Sequence, residues 1–177
     1  MLSFRVMHWL LISLSLLVVG CGGDSKVVTT RYKPGNEKRA QGKFVDGKRQ
    51  GQFTFWYKTG EKQAEGGFRD DKFDGKWTIW FPNGVKNIEA YYADDVLDGS
   101  QVIWDENGQI RSEGQYSKGL KHGEHRRWNA DGQILSAENY IDDRLNGKAT
   151  YWHANGVKQM EGAYALGSQI GHWTYWH

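Results

Sequence analysis

Residues 75–98 read GKWTIWFPNGVKNIEAYYADDVLD, and their frame recurs along most of the chain. Glycine stands at 51, 75, 99, 123, 147 and 171, a spacing of 24 residues without slip. A second glycine follows nine residues into each complete unit, at 60, 84, 108, 132 and 156. Tryptophan lies five residues into every unit, at Trp56, Trp80, Trp104, Trp128, Trp152 and Trp176. An aromatic residue closes the second half, at Phe68, Tyr92, Tyr116, Tyr140 and Tyr164. Repetition at a fixed period means that each unit is one supersecondary element whose neighbours complete its core.

Each unit reads as two strands. The segment KWTIWF at 76–81 alternates and is rich in aromatic and β-branched residues, a strand signal. Pro82-Asn83-Gly84, Glu106-Asn107-Gly108, Ala130-Asp131-Gly132 and Ala154-Asn155-Gly156 read as hairpin turns, because Asn-Gly and Asp-Gly supply the positive φ that such turns need. The stretch from Asp94 to Gly99 and its equivalents read as a longer turn to the next unit. Residues 32–44 make a partial first unit and residues 171–177 a closing half unit. The fold class expected is all-β: an elongated antiparallel meander of repeated hairpins. About eleven to thirteen strands at roughly 4.8 Å would span on the order of 50–60 Å.

Alternation divides the first strand of each unit into two faces. The Trp column shares its face with Thr54, Thr78, Val102, Arg126, Thr150 and Thr174. A column constant across units reads as packing. The opposite face varies, from Phe53 and Phe55 through Trp77, Ile79 and Phe81 to His125, Arg127 and Asn129. That varying face is where specificity is expected.

Composition agrees with an aromatic β protein. The 177 residues are 14% aromatic with nine Trp and nine Tyr, and the formal net charge of +2 points to neither a nucleic-acid surface nor an acidic tail. Residues 1–20 read as a leader, with Arg5 before an apolar run at 9–19 that is too short to span a bilayer comfortably. The leader ends Val18-Val19-Gly20-Cys21, which resembles a bacterial lipobox, and Cys21 is the single cysteine. Cys21 is therefore the expected lipid attachment site, and stable anchoring follows from more than one acyl chain. Residues 21–31 read as the lipidated cysteine and a short tether, and residues 32–177 as the repeats. The expected location is the bacterial cell envelope. Gly22 after the cysteine favours the outer membrane if the source is Gram-negative.

The frame of Trp56 with Gly60, Glu65-Gly66 and Phe68 returns as Trp104 with Asn107-Gly108, Glu113-Gly114 and Tyr116. It returns again as Trp152 with Asn155-Gly156, Glu161-Gly162 and Tyr164. It resembles the bacterial variant of MORN repeats (membrane occupation and recognition nexus) over about residues 32–177. Ala137-Glu138 and Ala90 depart from the Glu-Gly pair, and less regular pairing is expected in those units. The resemblance implies a ribbon used as a binding or spacing scaffold, and for bacterial members an antitoxin-like role. Cell-wall-binding repeats also combine Trp, Tyr and Gly, but their Gly-Trp…Trp-Tyr-Tyr phrasing is not present.

No nucleophile elbow stands out, and Glu65, Glu89, Glu113 and Glu161 recur at one position, as structural residues do. Neither catalysis, a cofactor nor a metal is expected. The aspartates at 70–71, 94–95 and 142–143 read as turn residues more than calcium ligands. His153 and His177 lack tight zinc spacing. The run KGLKHGEHRR at 118–127 is the largest departure from the frame. Lys118, Lys121, His122, His125, Arg126 and Arg127, with Trp77 and Ile79 nearby on the varying face, are the candidate partner-binding residues. The functional expectation is a membrane-anchored, non-catalytic repeat protein that presents an interaction surface to an unknown protein. An immunity or antitoxin-like factor and a lipid- or wall-binding module are the alternatives, and edge-to-edge self-association is possible through an open strand.

Overall fold

A computed structural model describes residues 25–176. Thirteen strands form one sheet: β1 (Ser25–Arg31), β2 (Lys38–Val45), β3 (Lys48–Trp56), β4 (Lys62–Arg69), β5 (Lys72–Trp80), β6 (Lys86–Ala93) and β7 (Val96–Trp104). They are followed by β8 (Ile110–Ser117), β9 (Leu120–Trp128), β10 (Ile134–Ile141), β11 (Arg144–Trp152), β12 (Lys158–Ala165) and β13 (Ser168–Tyr175). Their order in the sheet is their order in the chain, and each pair is antiparallel. The all-β meander expected from the period is the fold found.

Three local expectations are corrected. The tether segment is partly structured: Ser25–Arg31 is strand β1, paired with β2. Its Val27-Val28-Thr29-Thr30 core is β-branched and fits a pleated surface. The two kinds of turn are also exchanged. Asp94 and Asp95 alone connect β6 to β7, with φ of 49° and 71°, the two-residue turn with both central residues left-handed. The connection through Pro82-Asn83-Gly84 is the longer one. Gly84 N donates to Phe81 O, Phe81 N donates to Val85 O, and Gly84 has positive φ while Asn83 does not. Finally, Ala90 and Glu138 do not disturb the register. Ala90 pairs with Trp77 and Gln101, and Glu138 with His125 and Ala149, as Gly66 pairs with Phe53 and Trp77.

The turn aspartates brace one turn against the next. Asp71 Oδ1 accepts from Arg49 N at 2.9 Å, Asp95 Oδ1 from Phe73 N at 2.7 Å and Asp143 Oδ1 from Lys121 N at 2.8 Å. The opposite rim is tied in the same way, with Tyr57 Oη donating to Trp80 O and Asn129 Nδ2 to Ala154 O.

The core lies on the varying face, not the tryptophan face. Phe44, Phe53, Phe55, Phe68, Phe73, Trp77, Ile79 and Ile88 are buried together there. The residues of the Trp column are only partly buried. The glycines explain how a single sheet buries such large rings. A Cβ on Gly66 would run into the Trp77 ring, one on Gly42 into Phe53, one on Gly114 into His125 and one on Gly162 into Trp173. Each ring lies across a glycine of the preceding strand. Where the glycine is Ala90 the partner is Gln101, and where it is Glu138 the partner is Ala149. Size on one strand is exchanged for size on the next.

Candidate functional site

On the core face, the residue two places after the repeat glycine also serves the backbone in the second and fourth units. A bulge at that glycine leaves a carbonyl on the preceding strand outside the ladder. Trp77 Nε1 donates to Gly67 O at 2.9 Å, and His125 Nε2 donates to Gln115 O at 2.7 Å. His125 thus stands in for tryptophan. Its ring lies edge-on between Tyr116 and Tyr140, both at 5.1 Å.

Around His125 the core face changes from apolar to polar. Glu138 is 8% exposed, yet Tyr151 Oη donates to its Oε1 at 2.9 Å and Tyr140 Oη to its Oε2 at 3.1 Å. Arg127 Nε donates to Ser136 Oγ at 3.1 Å, and Ser136 lies 3.5 Å from Glu138. Burial, then the Glu138 charge, pushes the Tyr140 phenol up to about 12, and burial with the Glu138 hydrogen bond raises Tyr151 as well. Both phenols therefore stay protonated as donors at neutral pH. This cluster holds a buried carboxylate, and its hydrogen-bonding capacity is turned inward.

Burial holds the His125 imidazole below its ordinary pKa, against the opposing pull of the Gln115 carbonyl; Lys121 lowers it further, while Glu138 and Asp143 raise it. A lowered pKa in the folded state makes the neutral ring the folded form. Stability is then complete above the unfolded value near 6.5 and declines as pH falls through it toward the folded pKa. Urea unfolding at pH 7 and pH 5 should show this loss, and His125→Gln should remove that component. An unchanged pH dependence in the variant would count against the assignment.

The tryptophan face is a charged lattice. Lys62 Nζ lies 5.6 Å from the Trp80 ring, Lys86 5.5 Å from Trp104 and Lys158 5.2 Å from Trp176. The same lysines hold Glu65 at 2.7 Å, Glu89 at 2.9 Å and Glu161 at 2.8 Å. Two of these glutamates stand between threonines across the sheet, Glu65 between Thr54 and Thr78 and Glu161 between Thr150 and Thr174, while Glu89 lies between Thr78 and Val102. Each contact is weak where exposed; the row orders the surface.

The fourth unit breaks this lattice at four places. Glu124 stands where the second and fifth units have Lys76 and Lys148, Arg126 where they have Thr78 and Thr150, Ile134 where they have Lys86 and Lys158, and Ala137 where they have Glu89 and Glu161. Arg126 reaches Glu124 at 2.8 Å and Glu113 at 3.5 Å. A hollow of about 330 Å³ opens above Ala137, walled by Arg126, Lys148, Thr150, Trp152 and Glu161.

The residues expected to meet a partner do not form one patch. Trp77 is 1% exposed, Ile79 4% and His125 7%, so these three are core, because the varying face is the packed one. Lys121 lies 4.6 Å over the Tyr140 ring, and Lys118 sits in a two-residue turn with φ of 50°. His122 lies 3.9 Å from Asp142. Arg127 is on the core face and exposed, whereas Arg126 is on the tryptophan face beside the hollow. The reading from sequence missed Ala137, Lys148 and Trp152 as a group. Their signal is the joint loss, within one unit, of a lysine and a glutamate that the first, second and fifth units place together. Cys21 and the leader lie outside the described residues.

Three consecutive segments, residues 73–94, 97–118 and 121–142, match the MORN repeat variant. Each covers one hairpin, β5–β6, β7–β8 and β9–β10, and the third includes the broken lattice of the fourth unit. Comparison with curated proteins gives no match. The match points to a repeat protein with a binding role.

Proposed function

We propose that this protein is a non-catalytic binding protein of the bacterial cell envelope, anchored through a lipid on Cys21, that presents the tryptophan face of its sheet to a protein partner. The observation that carries the reading is the hollow above Ala137. There the row of paired lysines and glutamates is interrupted, and Arg and Trp, the residues most often dominant at interfaces, border the gap. The buried polar cluster of the opposite face supports the same assignment, because its donors and its carboxylate engage each other.

The anchor rests on the leader and on Gly20-Cys21. Four residue steps separate Cys21 from Ser25, the first residue of β1, a reach of at most about 14 Å. A lipid on Cys21 would hold the β1 edge of the sheet close to the bilayer and leave β13 as the far edge. Cys21→Ser should move the protein from the membrane fraction to the soluble fraction with its circular dichroism unchanged. A variant that stays with the membrane would sink the anchoring. Crosslinking of intact envelopes followed by purification should recover a protein partner, and recovery of glycan or lipid alone would replace this reading.

A further inference from the structure

The repeat carries its own reference for what fills the hollow. In the second unit, Glu89 occupies the place equivalent to Ala137, 2.9 Å from Lys86 Nζ and 3.0 Å from Lys76 Nζ. In the fifth unit Glu161 takes Lys158 at 2.8 Å and Lys148 at 3.7 Å. Glu65 takes Lys62 at 2.7 Å, and Glu113 takes Arg126 at 3.5 Å. Among the five complete units the fourth alone lacks the carboxylate, and Ala137 lies in register between Arg126 and Thr150.

We infer that the hollow receives one acidic side chain of a partner protein. The carboxylate lies over Ala137, where the other units place their own glutamate, between the Arg126 guanidinium and the Lys148 ammonium. Trp152 lines the same hollow. This rests on the interaction reading above and gives the partner a chemistry.

The charges along the wall fit a single carboxylate. Arg126, Lys148 and Lys158 bring three positive charges and Glu124 and Glu161 two negative ones, a balance of one positive charge. A polyanion would meet Glu124 and Glu161; one side chain need not. Lys148 is the least committed cation. Its side chain is 69% exposed and its contact with Glu161 is long, because Lys158 already holds that carboxylate. The long arm of Arg126 toward Glu113 is the contact an incoming carboxylate competes with. Hydrogen bonds between ionised partners are the stronger kind, and their placement sets specificity more than affinity.

The test is a nuclear magnetic resonance titration of the full chain in detergent micelles with a capped glutamate, N-acetyl-glutamate methylamide. The Ala137 methyl and the Trp152 indole should shift saturably, and capped glutamine and capped lysine should leave them in place. Ala137→Glu, which installs the chain's own carboxylate, should abolish the response with the sheet intact, and Ala137→Ser should retain it. A flat titration, an equal response to glutamine or lysine, or a response that survives Ala137→Glu overturns the inference. Envelope crosslinking separates the two readings. A partner captured equally by the wild type and by Ala137→Glu removes this site and leaves the interaction reading standing. Capture by neither, with a saturable titration, does the reverse.

Discussion

Trp77→Ala is expected to cost about 3–5 kcal/mol, a large share of the roughly 5–15 kcal/mol that hold a domain together. The ring is 1% exposed and lies within 4.5 Å of Phe73, 5.0 Å of Phe68 and 6.2 Å of Phe55 by centroid. Truncation leaves a cavity beside three aromatic rings and removes the donor that satisfies Gly67 O. Trp80→Ala is the informative comparison. Trp80 belongs to the constant column, but it is only partly buried and faces Lys62. Its loss should cost about 1–2 kcal/mol. Denaturant midpoints of the two variants decide which face is the core, and a larger loss for Trp80→Ala would reverse the assignment.

Gly66→Ala is expected to destabilise by about 3 kcal/mol although it adds one methyl group. The new Cβ would enter the Trp77 ring, which Phe68, Phe73 and the hydrogen bond to Gly67 hold in place. The chain contains its own compensated version of this change, the pair Ala90 and Gln101. Gln101→Trp alone should therefore destabilise against the Ala90 methyl. Ala90→Gly with Gln101→Trp should recover that loss, with a coupling of about 2 kcal/mol in a double-mutant cycle. Additive effects would mean that glycine is needed at 66 for another reason.

The architecture was legible because the 24-residue period and the strand alternation are written in single positions. The identity of the core was not. Comparing like positions across units makes Trp56, Trp80 and Trp104 look like the packing column, because they never change. The true core conserves the fit between strands, and its members vary. Gly66 with Trp77, Gly114 with His125 and Glu138 with Ala149 are partners 11 residues apart, in adjacent units. That relation becomes visible only when the register is known. The same blindness scattered the basic run at 118–127, which looks like one patch along the chain and divides between a turn and two faces of β9. Arg126 kept its candidacy because it lies on the face where Ala137 leaves room.

The strictly sequential order of the thirteen strands has a kinetic consequence. Every strand finds its partners in the segments immediately before and after it, so no pairing must wait for a distant part of the chain. Loop-closure entropy is small at each step, and assembly is expected to be fast for an all-β protein. Hairpins can dock one at a time onto a growing edge, as in other one-dimensional arrays. The cluster of Phe53, Phe68, Phe73 and Trp77 gives that growth a firm early template, since it is complete once β5 has been added. A chain delivered from its N-terminus could fold in the order in which it arrives.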